Sequence, residues 1–170
     1  LIEFYFPNGH MSPLGATLTP TQVREKPSKI VFQAEPGALY SLLMIDPDAP
    51  SRENPKNGEA LHWLIVNMNG TDLNSGDTYT EYIGAGAPER TGLHRYIFLI
   101  FKQTGKLVPN RTKTTKYSCD GRMKFPISEF ISENSLGRPI AGNFYQAQYD
   151  DYVPSLHAQV TRDDPTPPGQ

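Results

Sequence analysis

The chain of 170 residues has one cysteine, Cys119, which excludes a disulfide framework and a cysteine-based metal cluster. That residue reads as a plain unpaired thiol. Its longest apolar runs fall far short of the roughly 20 residues a membrane-spanning helix needs. Charged residues make up only 20% of the sequence and the formal net charge is −2, so no field of one sign draws the chain to nucleic acid. There is no G-x-S-x-G elbow, and the four histidines never recur at i, i+4, so neither a hydrolase nucleophile nor a helical zinc motif is marked. No metal ion and no cofactor are expected. The length is enough for one ordinary core without staples.

What is present is mostly strand. Segments 2–6, 30–34, 39–46, 62–68, 79–83 and 96–101 are rich in β-branched and aromatic residues, and Pro36-Gly37, Asn69-Gly70, Ser75-Gly76 and Thr104-Gly105 separate them. The pattern predicts an all-β sandwich with additions. Helical periodicity appears only late in the chain. Pro126 opens a short helix with Ile127, Phe130 and Ile131 on one face; after Asp150-Asp151 a second places Val153, Leu156, His157 and Val160 on its packed face. Residues 1–160 are expected as one domain, and 161–170 ("TRDDPTPPGQ") as a flexible C-terminal tail.

Within "IDPDAPSR", 45–52, an apolar strand runs into two aspartates and two prolines, so Asp46 stands at a strand's end. Alternation puts His62 on one face with Leu64, Val66 and Met68, and His94 on one face with Tyr96, Phe98 and Ile100. Both histidines stand at strand beginnings. Antiparallel neighbours bring a beginning beside an end, so Asp46, His62 and His94 can converge near "GAGAP", 84–88. Glycines there let amides approach a ligand, and amides with imidazoles hold an oxyanion. The alternatives are a satisfied core histidine, a simple turn and strand-ending punctuation. The basic run from Lys102 to Lys124, opposed by Asp120 alone, reads as a solvated loop or as a patch facing an anionic partner. Asn69-Gly-Thr and Asn110-Arg-Thr are glycosylation-type sequons.

"DPDAPSR", "HWLIVNM", "GAGAPERTGLHRYIF" and "YQAQYDDYVPSL", with "LTPTQV" at 18–23, give the chain a resemblance to the phosphatidylethanolamine-binding protein family, including animal members that inhibit kinases. The resemblance covers about residues 1–160. It implies a β-sandwich with a large central antiparallel sheet, a smaller sheet and a C-terminal helix, and a pocket for phosphate-bearing head groups. Carried over by motif, the acidic residue is Asp46, and Ala49 and Pro50 form a rim with a cis peptide bond between them. His62 opens the central strand, Gly84, Gly86 and Pro88 are the loop wall, and His94 and Tyr96 complete the anion side. The C-terminal helix puts His157 where those relatives have a tyrosine over the pocket, as a packed neutral imidazole or a third pocket imidazole. Ala60-Leu61 stands where they have Trp-His, Ala87 replaces a rim proline, and Trp63 is expected on the face opposite His62. Asp48 is expected to face outward or brace the turn.

The implied role is a binding and regulatory module without catalytic residues, its ligand a phosphate-bearing small molecule or phospholipid head group. A protein kinase or a protease is the implied protein partner, with peripheral membrane contact and a monomeric state. The expected compartment is cytoplasmic, secretion left open. Two other classes stay open: a serine protease inhibitor working through an exposed loop, and a phosphate-processing enzyme using His62 and His94 as acid and base.

Overall fold

The computed structural model describes residues 1–9 and 13–160; the tail expected at 161–170 lies outside the described residues. The described residues form strands β1 (Glu3–Tyr5), β2 (Ala16–Thr17), β3 (Lys29–Val31), β4 (Leu39–Asp46), β5 (Ala60–Asn69), β6 (Asp77–Thr80), β7 (His94–Lys102) and β8 (Ala141–Ala147), with helices α1 (Ile127–Glu133) and α2 (Val153–Val160). β1 and β3 pair antiparallel as a small sheet. The other six form one sheet in the order β2-β8-β7-β4-β5-β6. Every pair in it is antiparallel except β2 with β8, so the large sheet is mixed rather than wholly antiparallel.

Alternation in β4 and β7 explains why this sheet is buried on both faces. Leu42, Met44, Tyr96, Phe98 and Ile100 join Ile2, Phe4 and Ile30 of the small sheet in one apolar cluster. Leu43, Ile45 and Phe101 join Phe125, Phe130 and Leu136, from α1 and its flanks, in the other. A strand covered on both faces carries continuous apolar residues, as "LLMI" at 42–45 does. No helix among the described residues is long and apolar enough to cross a membrane.

Four details differ from the sequence reading. The strand expected over 79–83 begins at Asp77 and ends at Thr80, and 81–88 leaves the sheet to run past the start of β5. β8 was not foreseen because Gly142 and Asn143 are poor strand formers. Its buried Asn143, Tyr145 and Ala147 keep a period of two all the same. β2 is too short to carry a pattern.

The fourth difference is a bulge. Met44 pairs with Trp63 and Ile45 with Leu61, so His62 is an extra residue on β5. A bulge breaks strict alternation, and the His62 ring lies edge-on to Tyr96 at 5.2 Å, on the side of the first cluster. Leu64 and Val66, its expected companions, belong to the second. A further irregularity between Met68 and Ile65 surrounds Asn67, whose φ of 61° is left-handed. Asn67 Nδ2 donates to Asp77 and to the Leu107 carbonyl, and its Oδ1 accepts from Gln103 and the Leu107 amide, all at 2.8 Å.

The chain leaving β4 is tied to the start of β7. Asp48 is buried, and its carboxylate accepts from Arg95 N–H and Nε (both 2.9 Å) and Nη2 (2.8 Å). It braces the turn from within and does not face outward. Burial opposes its ionisation, but the Arg95 hydrogen bonds outweigh that and hold its pKa below the ordinary value. The folded pKa thus lies below the unfolded one. The stabilisation is fully present above the unfolded value of about 3.9 and is lost as pH falls through the folded value. Asp48→Asn is expected to cost about 1–3 kcal/mol at neutral pH and to flatten the acid limb of stability, read by urea unfolding at neutral and at low pH.

Candidate functional site

The end of β4, the starts of β5 and β7, the segment 83–88 and helix α2 meet around one cavity of about 380 Å³. All ten residues singled out from the sequence line it: Asp46, Ala49, Pro50, His62, Gly84, Gly86, Pro88, His94, Tyr96 and His157. The Ala49-Pro50 bond is cis. The sequence reading missed Asn57, Ile83, Cys119, Arg122, Met123, Leu156 and Val160, and gave Ala60, Leu61 and Ala87 only as departures from the pattern. Leu156 and Val160 were legible as an apolar helix face; nothing in the loop 115–124 marked it as a wall.

Topology brings the acidic and basic groups together. Asp46 pairs with Ala60 of β5, and on its other side Ile45 pairs with Ile97 of β7. Asp46 Oδ2 accepts from His94 Nδ1 at 2.7 Å, and Oδ1 accepts the Asp48 amide at 2.7 Å. His94 Nε2 lies 2.9 Å from Thr91 Oγ1, whose own proton goes to the Pro88 carbonyl at 2.8 Å. Both ring nitrogens are therefore engaged, Nδ1 by the carboxylate and Nε2 by the hydroxyl. Both groups are nearly sealed, Asp46 at 3% and His94 at 1% exposure.

His62 is arranged differently. Its Nδ1 lies 3.0 Å from the Ile83 carbonyl and 3.1 Å from the Gly84 carbonyl, so Nδ1 carries the proton and Nε2 is left as an acceptor. Burial pushes its pKa below the ordinary value, against a smaller opposing pull from Asp46. Tyr96 is fully buried, and among the described residues its hydroxyl has no hydrogen-bond partner, although the Gly86 and Ala87 amides lie beside it. Burial, and then the charge of Asp46, raise its pKa, so it stays a neutral donor.

The glycines of the wall admit neighbours rather than unusual dihedrals. A Cβ on Gly84 would lie 2.6 Å from the Val23 carbonyl oxygen, and one on Gly86 3.0 Å from Leu156 Cδ2 of α2. α2 is fixed at its start by Asp150, which accepts the Tyr152 amide (3.0 Å) and the Thr21 amide and hydroxyl (2.9 and 2.7 Å). His157 is exposed rather than on the packed face. Only Val153 and Leu156 of α2 are fully buried, because the helix lies at the surface with a narrow apolar stripe. From the stripe's edge His157 reaches the rim, where its Nε2 donates to the Gly86 carbonyl at 2.7 Å. Trp63 does not line this cavity; it packs edge-on to Tyr82 and lines a separate cleft beyond Ile83.

Arg122 departs furthest from expectation. The basic run was read as a solvated loop or surface patch, yet Arg122 is 2% exposed. Its Nε donates to the Ser118 carbonyl (2.8 Å), Nη1 to those of Leu61 (3.3 Å) and His62 (3.2 Å), and Nη2 to those of Glu81 (2.8 Å) and Thr115 (2.9 Å). Burial lowers its pKa to about 10, so it remains a cation. Among the described residues no carboxylate lies at ion-pair distance from it. The site therefore offers a hydroxyl donor, an imidazole acceptor and a buried positive charge in an otherwise largely apolar wall. No group of three His, Cys, Asp or Glu among the described residues is gathered as a metal site.

Comparison with known proteins agrees with this geometry. The family model described as phosphatidylethanolamine-binding protein matches residues 10–146. A Drosophila melanogaster protein named "Putative odorant-binding protein A5" is 39% identical over 142 residues, 84% of this chain and 67% of that one. The solution structure of CG7054 is 39% identical with a TM-score of 0.74, over 95% of this chain and 91% of that one. A phosphatidylethanolamine-binding protein from Plasmodium vivax is 26% identical with a TM-score of 0.67, over 88% and 85% of the two chains. With its sheet order, its cis rim and its converging Asp46, His62 and His94, the chain belongs to the phosphatidylethanolamine-binding protein family.

Proposed function

We propose that the cavity binds a phosphate-bearing small ligand or phospholipid head group, and that the protein works as a binding and regulatory module. The Tyr96 hydroxyl carries this reading, because a buried polar group without a partner costs roughly 1–3 kcal/mol and a ligand oxygen recovers it. Arg122 supports an anionic ligand, since among the described residues its hydrogen bonds go to carbonyls and no carboxylate lies at ion-pair distance. The amides beside Tyr96 support the same choice. The His62 Nε2 acceptor suits a protonated phosphate oxygen or the donor end of an ethanolamine, and Asp46 favours that cationic end. Acid–base catalysis by His94 fits less well, because both of its ring nitrogens are already engaged.

One observation favours a second reading of the same cavity. Its wall is largely apolar, with Leu61, Ile83, Met123, Leu156 and Val160 among its residues, and the D. melanogaster relative is named for odorant binding. A small apolar molecule with one hydrogen-bonding end would place that end at Tyr96.

Phosphorylethanolamine is expected to raise the unfolding temperature as RT ln(1 + [L]/Kd). Tyr96→Phe should be more stable than the parent by about 1–3 kcal/mol yet bind about tenfold more weakly; differential scanning fluorimetry reads both. Equal shifts in parent and variant would remove the reading, and a shift with octanol but none with phosphorylethanolamine would put the apolar ligand in its place. The His62 pKa supplies a separate test. Burial sets its folded value below the unfolded value of about 6.5, so the unfolded chain takes up the proton first as pH falls. This contribution is whole above about pH 6.5 and declines below it. His62→Gln should flatten the stability profile in that window, measured by urea unfolding across mildly acidic to neutral pH.

A further inference from the structure

Cys119 is the only cysteine of the chain; it is free, exposed and part of the cavity wall. The turn that carries it is pinned to Arg122. The Ser118 carbonyl accepts from Arg122 Nε at 2.8 Å, and the Cys119 carbonyl accepts the Arg122 amide at 3.1 Å. The thiol is thus held at the mouth by backbone contacts to a buried residue on either side of it. Lys116 and Lys124 extend the positive surface of the turn, which Asp120 alone opposes from within it. A second, independent feature marks the same cavity as a ligand site: among the described residues the fully buried Tyr96 hydroxyl has no partner.

We infer that Cys119 is a modification site that closes the cavity, by forming a mixed disulfide with an anionic low-molecular-weight disulfide of the glutathione class. The Cys119 thiolate attacks one sulfur of that disulfide; the new S–S bond forms as the old one breaks. The leaving thiolate departs with the electron pair and takes up the proton that Cys119 released, so nothing is oxidised or reduced in net terms. The anionic reagent matches the charge around the turn. Its peptide portion then lies across the mouth, over the route to Tyr96. A thiol reductant reverses the step.

The inference rests on reading the cavity as a ligand site, and the experiment separates the two. The full chain is treated with glutathione disulfide and followed by intact-mass analysis. Cavity access is read by the phosphorylethanolamine-induced shift in unfolding temperature and by the fluorescence of anilinonaphthalene sulfonate. One adduct is expected, with both signals lost, restored by dithiothreitol, and kept in Cys119→Ser under the same treatment. Saturating phosphorylethanolamine should slow the adduct. An adduct that leaves the anilinonaphthalene sulfonate signal intact overturns the inference, and so does failure of the native thiol to react where the urea-unfolded chain does. If phosphorylethanolamine gives no shift but modification still expels the fluorophore, the head-group reading fails and the closure stands.

Discussion

The buried guanidinium of Arg122 is the constraint on which the geometry of the site depends. It collects carbonyls from the start of β5, from the segment after β6 and from the loop 115–118, while the Leu61 amide donates to its own carbonyl at 2.8 Å. Among the described residues β6 pairs with β5 only at Leu64–Val66 and stops short of these groups, and a buried carbonyl must find a donor. One side chain with five N–H groups in a fixed plane supplies what a neighbouring strand would. The same arrangement leaves a full positive charge in the wall without a carboxylate against it. The wall's backbone geometry and its positive charge are set by one residue.

The two aspartates that end β4 divide the work on the other side. Asp46 and Asp48 are two apart, and their partners His94 and Arg95 are adjacent on β7. Neighbouring residues of a strand face opposite ways. His94 therefore turns inward with Asp46 beside the cavity, while Arg95, half exposed, grips Asp48 from outside. The inner pair lies in the cavity wall and the outer pair fixes the loop beside it.

Most of this was legible in the residues, for identifiable reasons. β4 and β7 carry unbroken apolar patterns, and their antiparallel pairing follows from a strand end meeting a strand beginning, so Asp46, His94 and Tyr96 fell into place. His62 reached the cavity, but on the other face, because a bulge has no signature in polarity alone. His157 was misplaced by assuming that a helical face is buried across its full width. Arg122 was hidden for a different reason: in a run of cations nothing local separates the one that is swallowed from those in water. Its burial depends on carbonyls contributed by residues as far away in sequence as Leu61 and Glu81.

The extra residue at His62 has a consequence for how such a protein can change. The irregularity absorbs one residue locally, and the ladder from Trp63 to Ile65 against β4 continues in register beyond it. The ladder beyond it is therefore insulated from the extra residue. A substitution there changes the lining of the recess without shifting the register of the sheet beyond it, so the shape of the recess and the order of the sheet can vary separately.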